Sequence, residues 1–308
     1  MDLRQLRYFI RVAESGSISA AAAELFVAQS AISRQMRLLE EEIGGALFER
    51  SSQGVRVNEG GQLLLERAKF ILGQIDATIT DVSTRASEVR GIARFAAPGS
   101  LARHLTVPIA TAFQERYPLA QLVISEASSD DIIERLHAGS LDVGIVTAGE
   151  EPPWLNGRFL MQERTILLCR RDAPPAASSS LSPETLRSLP LIVSPGVVKL
   201  FSSLYGELRP ALQVHSVEAA LQLSRLSHSY ALVPESAMPN AESLADLVAV
   251  PVRRFKLSRW IVSPRDRPLS MSARALRATV DTVADQWCMQ IGATRNLPTG
   301  RPKSRPGA

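Results

Sequence analysis

SISAAAAELFVAQSAISRQMRLLEEEIG, residues 17–44, decides how the head of this chain folds. An alanine-rich run from Ser19 to Leu25 predicts a short helix, Phe26 to Ala28 a turn, and Gln29 to Ile43 a longer helix. On the longer helix Ile32, Met36, Leu39 and Ile43 recur at i, i+4, i+7 and i+11, so they share one face. Ser30, Ser33, Arg34 and Arg37 occupy the opposite face. An apolar back rests on a small core, while a Ser/Arg front offers hydrogen-bond donors to a DNA groove.

Outward from this stretch, Leu3 to Glu14 predicts a first helix with Leu3, Leu6, Phe9, Ile10 and Ala13 inward. Gly16 ends it, and Ser17 or Ser19 can cap the next helix. After Gly44-Gly45, residues 47–50 and 55–57 flank Ser51-Ser52-Gln53-Gly54, which predicts a small hairpin, or wing, carrying Arg50 and Arg56. Gly60-Gly61 open a helical stretch to about Arg90. Leu64, Ala68, Ile71, Ile75, Ile79, Val82, Ala86 and Val89 fall on it at near-heptad spacing. A helix of ~29 residues is ~43 Å long, and one beside a compact head calls for a partner helix.

From Gly91 the texture changes. Ile92–Ala97, Gln121–Glu126 and Leu141–Val146 read as strands, with helices at Leu101–Arg116 and Asp130–Ala138 between them. This βαβαβ order implies a parallel sheet. Thr165–Cys169, Leu191–Val193, Leu212–Val214, Tyr230–Val233, Leu247–Val252 and Leu257–Val262 read as further strands. Val198–Leu208, Val217–Ser227 and Ser272–Trp287 read as helices. The body thus looks like two similar α/β lobes, an arrangement suited to holding a small ligand between them. Residues 292–308, rich in Gly, Pro and Arg, read as a disordered tail.

Composition narrows the function classes. The chain has 308 residues, is 45% hydrophobic, and carries a net charge of +4. Arg295, Arg301, Lys303 and Arg305 supply that +4 without any acid among residues 292–308, while residues 1–60 hold seven Arg against eight Asp/Glu. Bulk charge therefore does not mark a DNA binder; the placement of the arginines has to. No apolar run spans a bilayer and Arg4, Arg7 and Arg11 break any signal-like start, so a cytoplasmic protein without membrane contact is expected. Cys169 and Cys288 read as reduced or buried thiols. His104, His137, His215 and His228 lack ligand spacing. There is no Gly-x-Ser-x-Gly and no phosphate loop, so neither a catalytic residue, a metal site nor a cofactor is expected.

Gly16-Ser17, Ala21-Ala22 with Leu25, Gln29 with Ser33, Leu39-Glu40, and Leu47-Phe48 with Arg50 together resemble the DNA-binding region of the LysR-type transcriptional regulators. The resemblance extends over residues 1–290. The stretches PGSLARHLTVPIATAFQERYP, ERLHAGSLDVGIV, LPLIVSPG and RDRPLS make the body look most like members resembling the nitrogen assimilation control protein. The resemblance implies a multidomain chain: a winged helix-turn-helix (1–59), a linker and dimerisation helix (60–90), and a two-lobed α/β effector domain of the periplasmic-binding-protein type (91–291). Lobe I would take about 91–160 and 265–291, and lobe II about 161–264.

The chain departs from the family pattern in places. Ala28 stands where relatives carry a capping Ser or Thr, Ser30 follows Gln29 in place of Pro, and Asn58 replaces a Thr. Ser227-His228-Ser229-Tyr230 replaces a Gly-x-Gly, so its larger side chains would reshape the ligand crevice. Lys199-Leu200-Phe201 lacks an arginine that similar members use.

The resemblance places Gln29, Ser30, Ser33 and Arg34 in the major groove, Arg37 on phosphate, and Arg50 and Arg56 on phosphate or the minor groove. It places Ser100, Leu101, Ser128, Thr147, Ser194 and Lys199 around an effector, with a carboxylate among the candidates because N–H groups at a helix start favour anions. The expected partners are promoter DNA, that effector, further copies of the chain as dimer or tetramer, and RNA polymerase. The alternative is a regulator without effector, whose body serves only assembly or partner contact.

Overall fold

In the computed structural model the described residues are 1–51, 54–83, 88–226, 228–238 and 246–293. The chain divides into a head and a body at residues 87 and 88. In the head, α1 (Leu3–Ser15) is closed by an Asp2/Gln5 capping box and ended by Gly16, whose φ of 63° a glycine adopts without strain. Ser17 caps α2 (Ile18–Glu24) through the N–H of Ala20, and α3 spans Gln29–Ile43. Leu6, Phe9, Ala21, Ile32, Met36, Leu39, Leu47 and Phe48 form one core. Ile43, expected on the buried face, is 45% exposed because α3 runs past the edge of that core.

The wing is β1 (Phe48–Ser51) paired antiparallel with β2 (Gly54–Val57), Glu49 opposite Arg56. Asn58 then accepts the Gly61 N–H at 2.8 Å, so it closes the start of α4 as a Thr would. The helix α4 spans Glu59–Ser83, shorter than the expected run to Arg90, and residues 88–90 are not helical. Ala86 lies outside the described residues. Only part of the predicted seam faces outward: Leu64, Ala68 and Ile71 pack into the core of the head itself, whereas Ile79 and Val82 are exposed.

The body is built on one mixed sheet of eight strands, in the order β4-β3-β5-β10-β6-β9-β7-β8. On one side lie β3 (Gly91–Ala97), β4 (Ala120–Glu126) and β5 (Val143–Thr147), parallel to each other. On the other lie β7 (Leu191–Val193), β8 (Leu212–Gln213) and β9 (Tyr230–Pro234), also parallel. Two long antiparallel strands join the halves: β6 (Leu155–Arg170) and β10 (Leu247–Pro264), in register from Leu155 opposite Pro264 to Arg170 opposite Leu247. The expected separate strands Leu247–Val252 and Leu257–Val262 are thus one strand. Its ladder breaks between Pro251 and Lys256, where Arg254 has a φ of 63°.

Each half is covered on both faces, as parallel strands require. Around the first half, α5 (Gly99–Arg116) and α10 (Met271–Gln290) bury one apolar layer and α6 (Ser129–Ala138) the other. Around the second, α7 (Pro183–Leu186) and α8 (Pro195–Tyr205) cover one face and α9 (Val217–Leu226) the other.

Candidate functional site

The head presents one polar face. On α3, Ile32, Met36 and Leu39 are fully buried, which turns Gln29, Ser30, Arg34 and Arg37 to solvent and leaves Ser33 half-buried. Ala28, at the N-cap position, makes no side-chain bond, so the first N–H groups of α3 are uncapped by it. Arg34 has no ion pair among the described residues, while Arg37 stands 3.7 Å from Glu41. Arg56 is exposed on the wing; the side chain of Arg50 lies outside the described residues.

The body offers a second site. In a sheet of this kind, ligands meet the carboxyl ends of the parallel strands. Here those ends converge from both halves: Pro98-Gly99-Ser100 after β3, Glu126 to Ser129 after β4, Thr147 closing β5, Ser194 to Val197 after β7, His215-Ser216 after β8 and Pro234 closing β9. Together with Arg259 they line a crevice of about 390 Å³. Four of the six expected effector residues, Ser100, Ser128, Thr147 and Ser194, therefore meet in one place.

The other two do not line it. Leu101 is one position further along α5, which rotates its side chain about 100° from Ser100 into the core, where it is fully buried. Lys199 projects from α8 to Asp130 of α6, its Nζ 2.8 Å from the carboxylate. Of the departures, Phe201 is a buried core residue, His228 and Tyr230 border a separate small hollow with Arg170 and Asp172, and Ser227 lies outside the described residues.

Arg259, at the floor of the crevice, escaped sequence reasoning. It lies opposite Thr147 in the β10–β5 ladder and is 2% exposed. Its Nε donates to Glu163 Oε1 on β6 at 2.5 Å, its Nη1 to Thr147 Oγ1, and its Nη2 to Ser100 Oγ at 3.2 Å. The second carboxylate oxygen of Glu163 accepts the Ser236 N–H at 2.8 Å. A charged pair with under 10% exposure on either side persists only when every polar atom finds a partner, and this one does so across five chain segments.

The hydroxyls above Arg259 are arranged alike. Those of Ser100 and Thr147 accept from the guanidinium. Ser128 accepts from the Asp131 N–H, Ser129 from the Thr147 N–H and Ser216 from the Ala219 N–H. Each keeps its own O–H hydrogen for another acceptor. The α5 start adds to this, since Leu101 and Ala102 both bond Pro98 O, and among the described residues the Gly99 and Ser100 N–H groups have no backbone partner.

A winged helix-turn-helix followed by an α/β body whose strand ends enclose a donor-rich crevice is the build of a ligand-responsive DNA-binding protein. The chain belongs to the LysR family: residues 3–62 match the bacterial regulatory helix-turn-helix protein of the lysR family, and residues 86–285 the LysR substrate binding domain. It is 31% identical over 250 residues to the HTH-type transcriptional regulator ClcR of Pseudomonas putida, covering 77% of this chain and 83% of that one. It is 30% identical over 175 residues to the nitrogen assimilation regulatory protein nac of Klebsiella aerogenes, covering 56% of this chain and 57% of that one, in keeping with the subgroup resemblance. The crystal structure of full-length CbnR complexed with its target DNA matches with a TM-score of 0.64 and 26% identity, covering 92% of this chain and all of CbnR. The protein is accordingly a DNA-binding transcriptional regulator with an effector-binding body, and not an enzyme.

Proposed function

We propose that the protein recognises promoter DNA as a dimer and that a small carboxylate in the crevice of the body tunes this binding. For DNA, Gln29, Ser30, Ser33 and Arg34 read base edges in the major groove, with Arg37, Arg50 and Arg56 on phosphates or the minor groove. Ile79 and Val82, seam residues left exposed on α4, support pairing of two copies through this helix, and a tetramer is the next assembly. Two heads then match two half-sites. The complex works in the cytoplasm, beside RNA polymerase at the promoter.

For the effector, the carrying observation is the set of hydroxyls that each accept one hydrogen bond from the protein and keep an O–H to donate, grouped above a buried guanidinium. Such a lining favours a ligand with two acceptor oxygens. A nuclease footprint on a promoter fragment tests the DNA half: protection of an inverted repeat that weakens with salt is expected, and no preference over random DNA would refute it. Thermal shifts against a panel of small carboxylates test the other half. The effector-free alternative predicts no shift with any of them.

A further inference from the structure

The charges around the crevice do not add up to a simple anion site. Arg259 is neutralised by Glu163 at its own Nε, so the floor contributes directed N–H groups and little net charge. Lys199, the cation nearest in sequence to the α8 end of the crevice, is taken up by Asp130. One carboxylate remains. Glu126, the last residue of β4, lines the crevice and has no cation within 4 Å among the described residues. The side chain is exposed and its carboxylate lies beside the start of α5: a Cβ on Gly99 would lie 3.0 Å from Glu126 Oε2.

A ligand carrying only negative charge would bring its carboxylate into a cavity that already holds this one, and like charges at close range repel. A ligand carrying a carboxylate and an ammonium meets complementary groups in the same crevice: hydroxyl and guanidinium N–H donors for the carboxylate, and Glu126 for the ammonium. We infer that the crevice selects amino carboxylates, the ligand ammonium pairing with Glu126 while its carboxylate takes the donors beside Arg259. The inference rests on the carboxylate reading above and adds the second charge.

Calorimetric titration of the full chain with matched pairs tests it: L-alanine against propionate, L-glutamate against glutarate, and L-phenylalanine against 3-phenylpropionate. In at least one pair the amino member is expected to bind tenfold or more tighter. Glu126→Gln should reduce that ratio to threefold or less without weakening the des-amino member, and an unchanged melting curve shows that the variant folds. Equal or tighter binding by the des-amino members overturns the inference and leaves the donor reading standing. A ratio that survives in Glu126→Gln also overturns it, because the ammonium would then sit elsewhere. Silence from both members of every pair overturns the donor reading and this inference with it.

Discussion

Replacing Glu163 by Gln isolates the interaction that holds the crevice floor together. The substitution keeps the side-chain shape and an acceptor for the Ser236 N–H, but removes the counterion of Arg259. The guanidinium side chain is 3% exposed and its remaining partners, Thr147 and Ser100, are neutral hydroxyls. At that exposure water screens the charge little, and no other acid lies within 4 Å to replace it among the described residues. Breaking a buried pair on one side costs about 3–5 kcal/mol. For a body of this size 1 kcal/mol moves the midpoint by about 2–4 °C, so the thermal transition of the body should fall by roughly 6–20 °C. The same cost should appear in urea unfolding as a lower midpoint at constant slope. Converting both partners, Glu163→Gln with Arg259→Met, removes the stranded charge and should recover most of the loss. A single variant within about 1 kcal/mol of wild type, or a double variant as unstable as the single, would refute the assignment of the pair as the fastening of β5, β6 and β10.

Other consequences are as direct. Ala28→Ser supplies the missing cap of α3, and urea unfolding of the head should show about 1 kcal/mol of added stability. Ile79→Glu, in the part of the α4 seam that lies beyond the core of the head, should lower the oligomeric state in sedimentation while leaving helicity unchanged, because that side chain is 60% exposed within a single copy. Cys169 and Cys288 are both free and buried, and burial pushes the Cys169 thiol above its usual range, so less thiolate is present at neutral pH. A thiol reagent should therefore leave both unmodified in the native protein and label both after denaturation.

What the sequence disclosed and what it hid follow from the range of the interactions involved. The face of α3 is local: a period of 3.6 over one helix separates Ile32, Met36 and Leu39 from Ser30, Arg34 and Arg37, and no distant contact is needed to see it. The crevice hydroxyls Ser100, Ser128, Thr147 and Ser194 were legible because each lies at or just past the end of a strand, and the family resemblance gathers those positions around one crevice. The long strands β6 and β10 were not. Asn156-Gly157-Arg158 and Arg253-Arg254 interrupt the apolar alternation, and what keeps these segments extended is a ladder between residues far apart in sequence. Arg259 was missed for the same reason. Within Lys256-Leu257-Ser258-Arg259-Trp260 it reads as an outward-facing strand residue; the register that sets it against Thr147 and beside Glu163 exists only in the folded sheet. Three of the eight residues of the α4 seam misled in the opposite direction, since Leu64, Ala68 and Ile71 complete the core of the head and are not available to a second copy.

The central claim is that DNA recognition lies on one face of α3. A duplex selected from a random library and a scrambled duplex of equal length, each titrated with wild type and with Ser33→Ala/Arg34→Ala, tests it most directly. Wild type should prefer the selected duplex by ~10³-fold or more, and that preference should fall by about 10- to 100-fold or more in the variant, while its oligomeric state and weak affinity for the scrambled duplex persist. A variant that keeps the full preference would contradict the claim and place recognition elsewhere on the head.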